Sequence, residues 1–335
     1  MELAAALRAQ AGACARLGSP MYRDLLLAAA ADIDAEGPGS PVGQVMAGHE
    51  DAPGPSAVGL RLLGSVHRLV LERRAGVLAT YYPSVGGRWE PGGGWNAFRD
   101  LLEREPDAVR EWLDRPPQTN EPGRGAALHG GLQRVPRPAR RPVRLLEIGA
   151  SGGLNLLADR MAYDGGAGPP ADPWPDVRFV EAVGCDLRPV DVATSEGRLA
   201  LTAYVWADQP ARHERLRAAL DLAARHPPVV RREAAGDAVD RLELAPGHLT
   251  VLWHSVMWQY VPRDEQARIS AAIDALAAQA TGELPFAHLR LEPPRRGSVV
   301  REDHEIRLDL WAGDVQVHGR IGTAPAHGIP CRWDD

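Results

Sequence analysis

Glu147, Gly149, Ser151, Gly153 and Asn155 stand at alternate positions in the run Val143-Arg144-Leu145-Leu146-Glu147-Ile148-Gly149-Ala150-Ser151-Gly152-Gly153-Leu154-Asn155. An apolar segment ends in a carboxylate, passes through a small-residue turn and continues into Leu156-Leu157. That pattern predicts a strand, a tight loop and a helix start. Gly149, Ala150, Ser151 and Gly153 let the backbone approach a ligand closely. A pyrophosphate cradle meets negative charge with its glycines and a helix N-terminus, and Glu147 at the strand end would oppose such a ligand. The carboxylate suits a group carrying an ammonium or a sulfonium, held directly or through a loop that Glu147 ties down. The competing reading is a plain glycine turn joining a strand to a helix.

Further side chains fall at the ends of other predicted strands. Asp186, in Gly184-Cys185-Asp186-Leu187, is placed to accept hydrogen bonds from ribose hydroxyls or to cap the following segment. It comes 33 residues after Gly153, the excess over the usual interval falling in the Gly/Pro-rich stretch 164–176. Asp237, in Gly236-Asp237-Ala238, is a candidate adenine-side contact or a helix N-cap. A fourth strand runs into Trp253-His254-Ser255-Val256-Met257-Trp258-Gln259-Tyr260. Ligands lie beyond the carboxyl ends of parallel strands, so His254 is a candidate general base, or else a satisfied core histidine. Gln259 is a candidate hydrogen-bonding group. Trp258 and Tyr260 either wall a pocket or pack in the core. Ahead of the sheet, Gln118-Thr119-Asn120-Glu121-Pro122-Gly123-Arg124 gathers five polar side chains before an apparent helix over 125–135. Thr119 or Asn120 could cap that helix. Arg124 could take a carboxylate bidentately and Glu121 an amine, which suits an amino-acid moiety.

The elements that must position these residues change in texture near residue 141. The first ~135 residues read mostly as helix. Helical spacing covers 2–17 and 20–34, broken by Leu17-Gly18-Ser19-Pro20, and then Val58–Leu71 (with Ser56 as cap) and Asn96–Leu113; 36–56 and 84–94 read as loops. From 141 onward strands and helices alternate. Strands are expected at Arg144–Ile148, Val177–Cys185, Val229–Glu233, His248–His254, Leu284–Leu291, Glu305–Trp311 and Val315–Ile321. Helices fit at Leu154–Tyr163, Val192–Tyr204, Gln209–Arg225, Ala238–Leu244 and Asp264–Ala280. This alternation implies right-handed crossovers and a mainly parallel α/β sheet. The short Ala312-Gly313-Asp314 link makes the last two strands an antiparallel hairpin. The expected organisation is a helical N-terminal cap region over 1–135 and a Rossmann-like, ligand-binding domain over 141–335.

Composition removes several classes of function. The chain has 335 residues, 44% hydrophobic and 24% charged, which is ordinary for a globular protein with an ample core. A net charge of −6 gives no electrostatic case for nucleic acid or an anionic membrane. No apolar run is long enough to span a bilayer, and Met1-Glu2-Leu3 lacks a basic leader, so a cytoplasmic location is expected. All 38 basic residues are arginine, which rules out lysine Schiff-base chemistry and a P-loop lysine. Cys14, Cys185 and Cys331 are far apart, and the eleven histidines include no H-x-x-x-H or H-E-x-x-H spacing, so no metal is expected. Nothing in the sequence specifies an oligomeric state.

The spacing Glu147-x-Gly149-x-Ser151-x-Gly153 resembles the first motif of the class I S-adenosylmethionine-dependent methyltransferases, with serine where a second glycine often sits. Seven strands with an antiparallel final pair resemble that superfamily's sheet. The set Gln118-Thr119-Asn120-Glu121, Glu147-Ile148-Gly149-Ala150-Ser151-x-Gly153-Leu154-Asn155 and Trp253-His254-Ser255-x-x-Trp258-Gln259-Tyr260 resembles a largely actinobacterial family known as a domain of unknown function, over nearly the whole chain. The methyltransferase resemblance implies S-adenosylmethionine as cofactor, held by Glu147, Gly149, Ala150, Ser151, Gly153, Asn155, Asp186 and Asp237, with a small molecule as substrate; by their chemistry Gln118, Asn120, Glu121 and Arg124 suit the cofactor's amino-acid end or an amino-acid-like substrate. Methyl transfer is the default expectation. Aminocarboxypropyl transfer from the same cofactor and non-catalytic nucleoside sensing are the alternatives. The absence of Asn/Asp-Pro-Pro-Tyr after the fourth strand argues against common nucleobase and glutamine N-methylation. An NAD-linked dehydrogenase is disfavoured because the loop is not Gly-x-Gly-x-x-Gly.

Overall fold

The computed structural model describes residues 3–49, 57–114, 118–163, 174, 177–294 and 303–334. The chain divides into two compact units, Met1–Thr119 with Thr194–Glu214, and Asn120–Ala193 with Arg215–Asp335.

The first unit is helical: α1 (Leu3–Arg16), α2 (Pro20–Glu36), α3 (Pro41–Val45), α4 (Val58–Leu71), α5 (Pro91–Arg104), α6 (Pro106–Leu113) and, from later in the chain, α8 (Ser195–Ala203). Left-handed Gly18 ends α1, and Ser19 caps α2 by accepting from the Tyr22 amide while Pro20 supplies a preset first turn. The loop expected over 36–56 contains the short α3, which Ser40 caps by accepting from the Gly43 amide. Ser56 lies outside the described residues, and Ala57 immediately precedes α4. The helix expected over Asn96–Leu113 begins earlier, at Pro91, and breaks at Glu105-Pro106, because a proline closes one helix and opens the next. Helix α4 is buried along most of its length. Its Gly64 leaves room for Tyr204, whose ring would lie 2.5 Å from an added Cβ. Its His67 bridges the Ala203 carbonyl (3.0 Å) and Ser84 Oγ (2.8 Å). Burial pushes His67 down to about 3, so it is a neutral crosslink.

The second unit holds one sheet of order β3-β2-β1-β4-β5-β6-β7-β8. The strands are β1 (Val143–Ile148), β2 (Phe179–Asp186), β3 (Val229–Arg232), β4 (Leu249–Ser255), β5 (Phe286–Glu292), β6 (His304–Ala312), β7 (Val315–Ala324) and β8 (Arg332–Trp333). Strands β1–β5 are mutually parallel and β6–β8 add antiparallel. The sheet therefore has eight strands where seven were expected; two-residue β8 is too short to leave a periodic signal. The β6–β7 hairpin turns through Gly313-Asp314 with Gly313 left-handed.

Side-chain alternation sorts the sheet into two faces. Leu145, Val251, Ala287, Leu289, Leu308 and Leu310 pack on one face with α7 (Gly125–Leu132). Leu146, Ile148, Leu252 and Phe286 pack on the other with α10 (Ala235–Asp240) and with Ile269, Ile273 and Leu276 of α11 (Arg263–Gln279). Each fully buried large aliphatic contributes about 1.5–3 kcal/mol. The α-helix expected at Leu154–Tyr163 is instead a 3-10 segment, Leu154–Arg160. Its first amide is taken from outside by Asn120 Oδ1 (2.8 Å), and the preceding Gly153 is left-handed. No helix among the described residues is long and apolar enough to cross a membrane.

Candidate functional site

Between β1 and β4 the sheet order reverses, the position at which open parallel sheets bind ligands in a crevice beyond the carboxyl ends of their strands. The glycine loop after β1 lies there. Gly149 (φ 70°), Ser151 (φ 53°) and Gly153 (φ 73°) are all left-handed, a conformation that is costly for a residue with a Cβ. Space requires the small residues as well. A Cβ on Gly153 would lie 2.6 Å from Val230, and one on Gly184 would lie 2.5 Å from the Ala150 methyl.

The loop is held from several directions. The Ala150 amide donates to the Cys185 carbonyl (3.0 Å) and the Val190 amide to the Ser151 carbonyl (3.1 Å). Asp186 accepts from the Ser151 amide at Oδ2 (2.9 Å) and from the Arg188 amide at Oδ1 (2.8 Å). The residue expected at a ribose or as a cap thus braces the loop with one carboxylate oxygen and caps its own following segment with the other. Asn120 fixes the loop's far end at Leu154. Glu121 caps the turn Pro122–Arg124 through the Gly123 amide, and the helix expected over 125–135, with Thr119 or Asn120 as cap, is α7 (Gly125–Leu132), which follows that turn directly and has Arg124 at its N-cap position with no side-chain cap. Arg215 lies 3.8 Å from the Glu121 carboxylate. Buried Arg124 donates to the carbonyls of Ala326 (3.0 Å) and Ser255 (3.4 Å). The polar cluster before α7 is therefore built into the site.

Under the loop, Glu147 is buried and accepts from Asn155 Nδ2 at 3.3 Å. Burial pushes its carboxyl up to about 8, against the opposing pull of Asn155, Arg124 and Trp253. Glu147 Oε2, Asn155 Oδ1 and Trp253 Nε1 are buried and make no full hydrogen bond among the described residues. Buried groups elsewhere, Tyr22, Tyr82 and Thr250 among them, share this state; these three atoms differ in lying together, with the Trp253 indole acting on the Glu147 carboxyl.

On the opposite face, His254 Nδ1 lies 2.7 Å from Glu292 Oε1 and its Nε2 lies 3.1 Å from His288 Nε2. Trp258 stacks on the His254 ring, with centroids 5.3 Å apart. His288 Nδ1 faces Arg290 (3.1 Å), which is held by Asp309 (2.6 Å). Burial, with His254 and Arg290 nearby, pushes His288 well below the usual histidine range. Glu292 Oε1 also accepts from the amides of Met257 (3.1 Å) and Trp258 (3.3 Å). Val256 adopts φ 51° to bring those amides round, a conformation costing about 1–3 kcal/mol for a β-branched residue. Glu292 Oε2 and the buried His304 Nδ1 have no hydrogen-bond partner among the described residues.

Other expected residues sit apart from this cluster. Gln259 and Tyr260 are exposed on the turn Trp258–Tyr260. Asp237 lies inside the first turn of α10 and pairs with Arg268 at 2.8 Å, so it is not the N-cap. Gln118 belongs to the helical unit, where it is half-buried. Glu292, Arg290, Asp309 and His304 join this cluster without having been expected from the sequence. The signal was present: in Phe286-Ala287-His288-Leu289-Arg290-Leu291-Glu292 every second residue after Phe286 is polar, so one face of a central strand carries chemistry.

The chain belongs to the family described as "uncharacterized protein conserved in bacteria (DUF2332)", whose model matches residues 4–333. Neither a curated protein nor a solved structure matches it.

Proposed function

We propose that the sheet unit binds S-adenosylmethionine at the glycine loop and transfers a group from it, methyl by default, to a small molecule. The observation that carries this reading is the loop itself. Three left-handed residues, braced by Asp186 and Asn120, lie at the switch point of the parallel strands over a buried carboxyl with an unpartnered oxygen. The donor set fits the cofactor's charges. Glu147 Oε2 and Asn155 Oδ1 are acceptors for an ammonium. When bound, the cofactor supplies an electrophilic carbon on sulfonium.

The chain's own residues would orient and exclude. Met257 lies against the loop, where a Cβ on Gly149 would meet it at 3.0 Å. The His254–Glu292 pair handles a proton if the acceptor carries one. Displacement otherwise needs mainly alignment.

The test is calorimetric titration with S-adenosylmethionine and S-adenosylhomocysteine on the wild type, Gly149→Val and Asp186→Asn, with circular dichroism to verify folding. Micromolar binding that folded variants lose supports the reading. No heat from the wild type at millimolar ligand refutes it.

A further inference from the structure

We propose that Glu292 is the proton acceptor of this site and that His254, the obvious base, is a positioning residue that holds it. The proposal rests on the transferase reading only in that the proton comes from an acceptor's O–H or N–H. Hydrogen-bond polarity carries the argument. A guanidinium has donors and no acceptor, so Arg290 donates to His288 Nδ1. A neutral imidazole accepting at Nδ1 carries its proton on Nε2, so His288 donates to His254 Nε2. His254 therefore accepts at Nε2 and donates from Nδ1 to Glu292 Oε1. The chain runs one way, from Asp309-anchored Arg290 through both rings to the carboxylate.

Both His254 nitrogens are thus committed. A proton delivered to His254 Nε2 would face the N–H of His288 head-on, and the stacked Trp258 ring holds the imidazole in plane. Glu292 Oε1 is committed too, accepting from His254, Met257 and Trp258. Its second oxygen is the exception: Oε2 is buried and has no hydrogen-bond partner among the described residues. In the step, the acceptor's O–H or N–H bond breaks and its electron pair stays on the nucleophile. The proton bonds to Glu292 Oε2, giving a neutral carboxylic acid that later returns the proton to water.

Two measurements test this on the full chain. Long-range proton–nitrogen NMR of histidine-labelled protein, assigned with His254→Asn and His288→Gln, reads the tautomers directly. We expect the proton on Nδ1 of His254 and on Nε2 of His288; a proton on Nε2 of His254 overturns the proposal. Turnover of S-adenosylmethionine with a bacterial metabolite extract as acceptor source then separates the roles. His254→Asn keeps an N–H donor where Nδ1 stood and removes the base, so it should lose less than about 10-fold. Glu292→Gln keeps the accepting oxygen and should lose at least about 100-fold. The reverse order overturns the proposal. Binding of S-adenosylhomocysteine should be unchanged in both variants. Failure of the wild type to bind it would sink the transferase reading, while the tautomers would still decide between Glu292 and His254.

Discussion

Glu147→Gln replaces a buried carboxyl by a neutral group of the same shape and keeps an oxygen for Asn155 Nδ2. The carboxyl stands at about 8 in the folded protein, against an ordinary value of 4.5, chiefly because burial disfavours its charge. A folded-state value above the unfolded one means that the native protein holds the proton longer. Stability is then fully present below about 4.5, falls as pH rises toward about 8 and levels off above. At about 1.4 kcal/mol per pH unit the whole effect has a ceiling of about 5 kcal/mol. Between pH ~5.5 and ~8.5 the wild type should therefore lose about 3 kcal/mol relative to Glu147→Gln, with water penetration reducing this toward 1. Urea unfolding of both proteins at the two pH values measures the double difference, which cancels every other titrating group. A difference that stays constant with pH, or that moves in favour of the wild type at high pH, would contradict a neutral buried carboxyl at this position. Glu147 would then be ionised in place, paired with Arg124.

The same carboxyl should respond to ligand. Binding of S-adenosylhomocysteine near pH 7 should release a proton as the ammonium re-ionises Glu147, seen as a buffer-dependent calorimetric enthalpy that Glu147→Gln lacks. Gly153→Ala should cost at least about 2 kcal/mol in urea unfolding, since its Cβ meets Val230 at 2.6 Å and its φ is 73°; a cost below about 0.5 kcal/mol would show that the loop relaxes freely. Val256→Gly should leave stability unchanged or raise it by about 1 kcal/mol through relief of the left-handed valine, and a loss above about 1 kcal/mol would contradict stored strain. Burial pushes the thiols of Cys14, Cys185 and Cys331 up to about 12. A thiol reagent at pH 7.5 should therefore label the native protein at the rate of unfolding and no faster.

Where each face of the sheet had a regular pattern, the sequence was legible. Apolar runs bounded by Gly and Pro located β1 to β7 to within a few residues, and the glycine loop after β1 emerged from spacing alone. Long-range contacts were not legible. Asp186 is acidic at the end of β2 whether it meets a ribose or the Ser151 amide, and only the fold chooses the amide. Ending β5 at Leu291 hid Glu292, because Pro293-Pro294 looks like a strand stop and the glutamate before it like a loop residue. Helix α8 reads as a crossover between β2 and β3. Its last residue, Ala203, and its C-cap, Tyr204, instead engage His67 and Gly64 of α4, and no local pattern encodes that choice.

The central strand pair has a consequence for how a ligand could be found. β1 joins β4 through Val143 and Leu249, more than a hundred residues apart in sequence, and the site draws on segments from Asn120 to His304. Contacts of such high sequence separation form slowly and late in folding, so the crevice exists only once the sheet unit has closed. A compound that recognises it must bind the native state and not its partly folded precursors. Occupancy at a hundred times its dissociation constant would then add about 2.7 kcal/mol to the whole unit. Thermal-shift screening of metabolite fractions therefore reads this site through the melting of the entire sheet, with no reaction assumed in advance.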